Sequence, residues 1–118
     1  MLKMNEDLEG ALRAYLQLLD EQAYFEAHEV LEEAWHPLRL RKDPLANLAK
    51  GLINGAVAFE HLKRNRPQAA DRARRVIVSY ERYKTLAAPN IVYGALFMEA
   101  CEKIELLKRQ YSPVFEGV

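Results

Sequence analysis

The sequence predicts an all-α fold, a single compact bundle of about five helices paired as antiparallel hairpins. Three observations lead there. Apolar residues recur at helical spacing along most of the chain, strand-like alternation is nearly absent, and the interruptions fall at proline-bearing turns. With 118 residues, 50% of them hydrophobic and 29% charged, the chain suits one helical domain, 1–118, around one core.

The first helix is expected from about Asn5 to Leu19. Asn5 offers a capping side chain, and Glu6, Asp7 and Glu9 suit the positive end of the helix dipole. Leu8, Leu12, Tyr15, Leu16 and Leu19 form its apolar stripe. The second helix is expected from Tyr24 to Trp35 and should stop before Pro37, because the residue preceding a proline avoids helical geometry. Asp43-Pro44 then signals the third helix, Pro44 to about Arg64, with a capping carboxylate followed by proline at the first helical position.

That third helix is the longest and least polar. Leu45, Leu48, Leu52, Ile53, Ala56 and Phe59 point around much of its circumference, while Gly51 and Gly55 form a smooth groove for another helix. Each glycine costs about 1 kcal/mol against alanine in a helix interior, so close packing is the expected return. Asn65-Arg66-Pro67 opens a fourth helix reaching about Leu86. Ala87-Ala88-Pro89-Asn90 breaks the chain again before a fifth, from about Val92 to Gln110, that buries Leu96, Phe97, Ala100, Ile104 and Leu107. Cys101 falls on the apolar side of that helix and reads as core.

No run approaches the roughly 20 apolar residues of a membrane span. The N-terminal charges are followed by no apolar segment, and the single cysteine makes no internal disulfide, so the expected compartment is the cytoplasm and no membrane partner is expected. The formal net charge is zero but unevenly spread. Nine acids face Lys3 and Arg13 between Met1 and Trp35, whereas eight bases face Asp71 and Glu81 between Lys63 and Lys84. The basic stretch, with Arg72, Arg74 and Arg75, holds only Tyr80 and Tyr83 as aromatics. It reads as a solvated face rather than a nucleic-acid platform. The apolar circumference of the third helix further suggests a homo-oligomer.

The most informative segment is Phe25-Glu26-Ala27-His28-Glu29-Val30-Leu31-Glu32-Glu33-Ala34-Trp35-His36. On a helix, His28 and Glu32 share a face with Phe25 and Trp35, and those aromatics should draw the face inward. On the third helix Lys50, Asn54, Val57 and His61 line one face. A hairpin turning near Leu40 would set Glu32 level with about Leu48 and His28 with about Leu52, with Lys50 and Asn54 in reach of both.

Several chemistries suit such a cluster. The zinc-peptidase pattern His-Glu-x-x-His fails, because Glu32 stands where its second histidine would. Di-iron bundles need two Glu-x-x-His pairs, and only Glu33 with His36, at a helix end, supplies one. A looser divalent-metal site of His28, Glu32 and His61 remains, as does acid–base work by His28 oriented by Glu32. The bland alternative is a satisfied polar network that fixes helix register. The turns Leu19 to Ala27 and Leu62 to Ala70 are similar to tetratricopeptide hairpins, which makes a protein-interaction module the rival function.

Phe25 through Trp35, followed by Lys50-Gly51-Leu52-Ile53-Asn54-Gly55 and His61-Leu62, resembles the uncharacterised helical family labelled domain of unknown function three-zero-nine. The resemblance covers about Tyr24 to Ala73. It implies an all-helical fold and a shared motif at Phe25, His28, Glu29, Glu32, Trp35, Lys50, Gly51, Asn54 and His61, with Asn54 standing where many relatives carry glutamine. It implies no activity, substrate or cofactor. The expectation is a small-ligand or divalent-metal site at His28, Glu29, Glu32, Trp35, Lys50, Asn54 and His61, with the reaction unspecified.

Overall fold

The computed structural model describes residues 3–118. Its helices are α1 (Leu8–Asp20), α2 (Tyr24–Leu40), α3 (Leu45–Arg64), α4 (Ala69–Val76), α5 (Val78–Tyr83) and α6 (Gly94–Gln110), with a short 3-10 turn at Lys84–Leu86. Only Ile77 separates α4 from α5, so together they stand for the expected fourth helix. The described residues include no strand, and the all-α expectation of about five helices holds.

Capping chemistry moves the first boundary. The Asp7 carboxylate accepts from the Gly10 N–H at 2.8 Å and starts α1. Asn5 lies outside the helix and accepts from the Asp7 N–H at 2.9 Å. At α3, the Asp43 carboxylate accepts from the Leu45 N–H at 2.9 Å, beside Pro44 as expected.

The expected stop before Pro37 is wrong, because α2 runs through the proline to Leu40. Pro37 has no N–H for the Glu33 carbonyl one turn back, a loss that ordinarily breaks a helix. Here the Asn5 N–H occupies that carbonyl at 2.9 Å, and the N-terminal segment is held across α2. Lys3 to Glu33 at 3.9 Å and Arg41 to Glu6 at 3.4 Å bracket the crossing. Continuing the helix also buries Leu38.

The inward face of α2 differs from the expected one. Tyr24, Ala27, Leu31, Ala34 and Leu38 are buried, an unbroken stripe of three- and four-residue steps. Phe25 sits about 100° around the helix from Tyr24 and is 42% exposed, and Trp35 is half-buried. One buried stripe excludes the other, and the Tyr24–Leu38 stripe is the more complete.

Helix α3 is central and packs against α2, α4, α5 and α6. A side chain at Gly51 would meet the Tyr80 Cα at 3.1 Å and the Ser79 carbonyl oxygen at 3.2 Å. One at Gly55 would meet Ile104 of α6 at 3.1 Å. The glycine pair therefore admits two neighbours, the α5 backbone at one step and an α6 side chain at the next. Tyr15 of α1 is fully buried and donates to the Leu52 carbonyl at 2.6 Å, so its hydroxyl is satisfied within the core. Burial raises its pKa well above the ordinary phenol value. The apolar circumference of α3 is thus covered within one chain. Among the described residues no helix is long and apolar enough to cross a membrane.

Candidate functional site

Continuing α2 to Leu40 resets the hairpin. The turn falls at Arg41 to Pro44, and the Lys50 ammonium lies 4.5 Å from the centre of the Trp35 ring. Tyr24 meets Phe59 at 5.9 Å between ring centres. On that register Glu32 lies level with about Ile53, and His28 with about Val57, roughly one turn beyond the expected pairing.

The expected partnerships change accordingly. Lys50 does meet α2, but through the face of Trp35, where the Arg39 guanidinium also lies at 4.9 Å. Asn54 turns the other way, and its amide donates to the Ser79 hydroxyl of α5 at 2.6 Å. Among the described residues no hydrogen bond or ion pair joins His28 or Glu32 to Lys50 or Asn54. The seven expected site residues therefore form no closed network.

His28 has a definite arrangement of its own. Its Nδ1 stands 3.1 Å from the Phe25 carbonyl oxygen, which can only accept, so Nδ1 carries the proton of this bond. The other ring nitrogen, Nε2, faces Glu32. It lies 3.8 Å from the Glu32 carboxylate, with the two side chains 20% and 37% exposed. An imidazole nitrogen and a carboxylate thus stand side by side on a partly exposed surface, and Glu26 and Glu29 are exposed on the same helix. Among the described residues neither Glu26 nor Glu29 has a basic partner within 4.0 Å, and Glu32 has only His28.

His61 lies elsewhere. It lines a small cavity of about 70 Å³ with Arg64, Arg66, Pro67, Ala69 and Arg72. Among the described residues no three His, Cys, Asp or Glu side chains are placed to hold a metal ion, so His28, Glu32 and His61 do not assemble into the expected three-ligand set. His36, expected at a helix end, sits inside α2 and is only 9% exposed. Its Nδ1 has no hydrogen-bond partner.

A second polar cluster, between α5 and α6, was not foreseen. The Tyr80 hydroxyl donates to Glu105 at 2.5 Å, Lys84 reaches Glu105 at 3.3 Å and Glu81 at 2.7 Å, and Lys108 bridges Glu81 and Glu105. Burial raises the Tyr80 pKa, and its bond to Glu105 raises it further. Burial alone would raise Glu105, but the Tyr80 hydroxyl and the two ammonium groups outweigh it and hold the carboxyl below its usual range. Burial alone would lower Lys84, and the two carboxylates reverse that. Burial, with Glu105 nearby, pushes the Cys101 thiol up to about 11, so it stays protonated and is a poor nucleophile. Cys101 is half-buried against the core and lines an open groove of about 580 Å³ with Tyr80, Lys84 and Glu105. The spacings Glu81–Lys84 and Glu105–Lys108 were visible as single-helix pairs, but nothing local showed that they face each other.

Residues 12–73 match the family described as Domain of unknown function (DUF309). The chain belongs to this family. No curated protein and no solved structure shows a significant match to it. The DUF309 match runs from α1 to the middle of α4 and includes every residue of the α2–α3 motif. The Tyr80–Glu105 cluster falls outside it.

Proposed function

We propose that this DUF309 chain is a protein-interaction module whose exposed α2 face, Phe25, His28, Glu29 and Glu32, receives a basic segment of a partner protein. The observation that carries this reading is a set of carboxylates, Glu26, Glu29 and Glu32, with no lysine or arginine partner among the described residues, set beside a Phe25 that is 42% exposed. Aromatic residues are enriched at interfaces, and a patch of one charge sign beside them steers in a partner of the opposite sign. The Arg64 guanidinium already lies 5.7 Å from the Phe25 ring centre, an intramolecular example of the contact a partner's arginine would make.

A small-ligand or metal site at the same cluster is less favoured, since no three such side chains among the described residues are placed to hold a metal and His28 and Glu32 line none of the described cavities. A second copy of the chain, offering its own basic α4, is the competing occupant. Nuclear magnetic resonance titration with a basic helical Lys/Leu peptide tests the proposal, with a Glu/Leu peptide as control. The expected result is saturable shifts confined to the Phe25–Glu32 face, absent with the acidic peptide and lost in the Glu29→Lys/Glu32→Lys variant. Shifts spread over the whole surface, equal response to both peptides, or a dimer that already occupies this face would overturn it.

A further inference from the structure

We infer that the cavity formed by His61, Arg64, Arg66 and Arg72 at the α3–α4 junction is a binding site for a phosphate-sized oxyanion. The cavity borders the α2 face through Arg64, which also lies over Phe25, but its role as an anion site does not depend on that face's role. It is lined by three arginines and one histidine, completed by Pro67 and Ala69, and none of these residues is acidic. Concentrated like charge is unfavourable unless neutralised, and most of this charge is not. Arg64 alone has a carboxylate partner, Glu60 at 2.5 Å. The other nearby acid, Asp71, is engaged with Arg74 at 3.6 Å and Arg75 at 2.8 Å, both outside the cavity lining. Among the described residues Arg66 and Arg72 have no carboxylate within 4.0 Å, and the His61 ring has no hydrogen-bond partner.

The geometry selects the anion. About 70 Å³ is several times the ~10–15 Å³ that one water needs, which leaves room for one compact tetrahedral oxyanion. Guanidinium forks match phosphoryl oxygens two at a time, and several arginines lining one small space favour a terminal group with several free oxygens over an internal diester. The backbone brings these residues together. Asn65 and Gln68 both adopt positive φ, 51° and 66°, so the chain reverses tightly and brings Arg66 and Arg72 back over the last turn of α3, where His61 and Arg64 sit.

The test uses isothermal titration calorimetry and side-chain nuclear magnetic resonance on the full chain in low-chloride buffer, with inorganic phosphate in one arm and glycerol phosphate in the other. The expected result is one-to-one saturable binding in at least one arm, with His61 and arginine Nε–H signals shifting together. Affinity should fall about tenfold or more in Arg66→Ala/Arg72→Ala, as loss of charge-assisted bonds implies, and hold in Arg74→Ala/Arg75→Ala. Tighter binding of glycerol phosphate would assign the site to phosphomonoesters, and tighter binding of inorganic phosphate to the free ion. Failure to saturate in both arms, or equal weakening in both variants, would overturn the inference. So would tight binding of an oligonucleotide while both phosphates are inert.

Discussion

The two polar clusters of this molecule contrast in how completely they are satisfied. Between α5 and α6, Tyr80, Glu81, Lys84, Glu105 and Lys108 answer one another donor for acceptor, and the pKa values of Tyr80, Lys84 and Glu105 move because of it. On α2, Glu29 and Glu32 have no lysine or arginine partner among the described residues, and His28 reaches only the Phe25 carbonyl and Glu32. A saturated network consumes its own hydrogen-bonding capacity and acts on the fold. An unsaturated surface keeps that capacity for something that arrives. The richer polar sequence motif therefore belongs to the less cohesive cluster.

The largest effect should follow from removing the centre of the saturated cluster. Tyr80 is 1% exposed and anchors α5 on α6, so Tyr80→Ala is expected to cost about 3–5 kcal/mol of stability by urea denaturation. A cost below about 1 kcal/mol would mean that the cluster is ornamental to the fold. Next comes Gly51→Val, which lies within the motif yet acts on α5. Its new side chain would press on the Tyr80 Cα and the Ser79 carbonyl, both backbone atoms that cannot swing aside, and about 1–3 kcal/mol should be lost. An unchanged midpoint would show that α3 and α5 part freely.

A smaller effect, read through pH, separates the clusters further. The Glu105 carboxyl is held below its ordinary range when folded, so its contribution is present above the unfolded carboxylate pKa, about 4.3, and is lost as pH falls through the lower folded value. Denaturation followed from neutral pH into acid should therefore show a steeper stability loss below that point in the wild type than in Glu105→Gln. Parallel curves for the two proteins would place the acid sensitivity elsewhere.

The same contrast explains what could be read from sequence. The existence and order of the helices were legible because helical spacing and proline breaks are local. The close approach at Gly51 and Gly55 was legible because glycine inside a long helix demands a reason. The hairpin register was not, because it turns on Asn5 supplying the hydrogen bond that Pro37 cannot, a contact between distant segments. The inward face of α2 was misread because Tyr24 and Phe25 are adjacent aromatics, and only the run on to Leu38 decides between their stripes. Asn54 was placed on the right helix but given the wrong partner, since Ser79 lies in a separate hairpin. The Tyr80–Glu105 cluster joins residues from two helices whose facing the local pattern does not encode.

The most direct test of the contrast is the stability of His28→Ala/Glu29→Ala/Glu32→Ala, measured by urea unfolding alongside the wild type. These residues make no hydrogen bond or ion pair to α3, so the variant should fold with a stability within about 1 kcal/mol of the wild type. A loss of about 3 kcal/mol or more would contradict the account, because it would show that the motif is cohesive and that its polar groups are satisfied inside the fold.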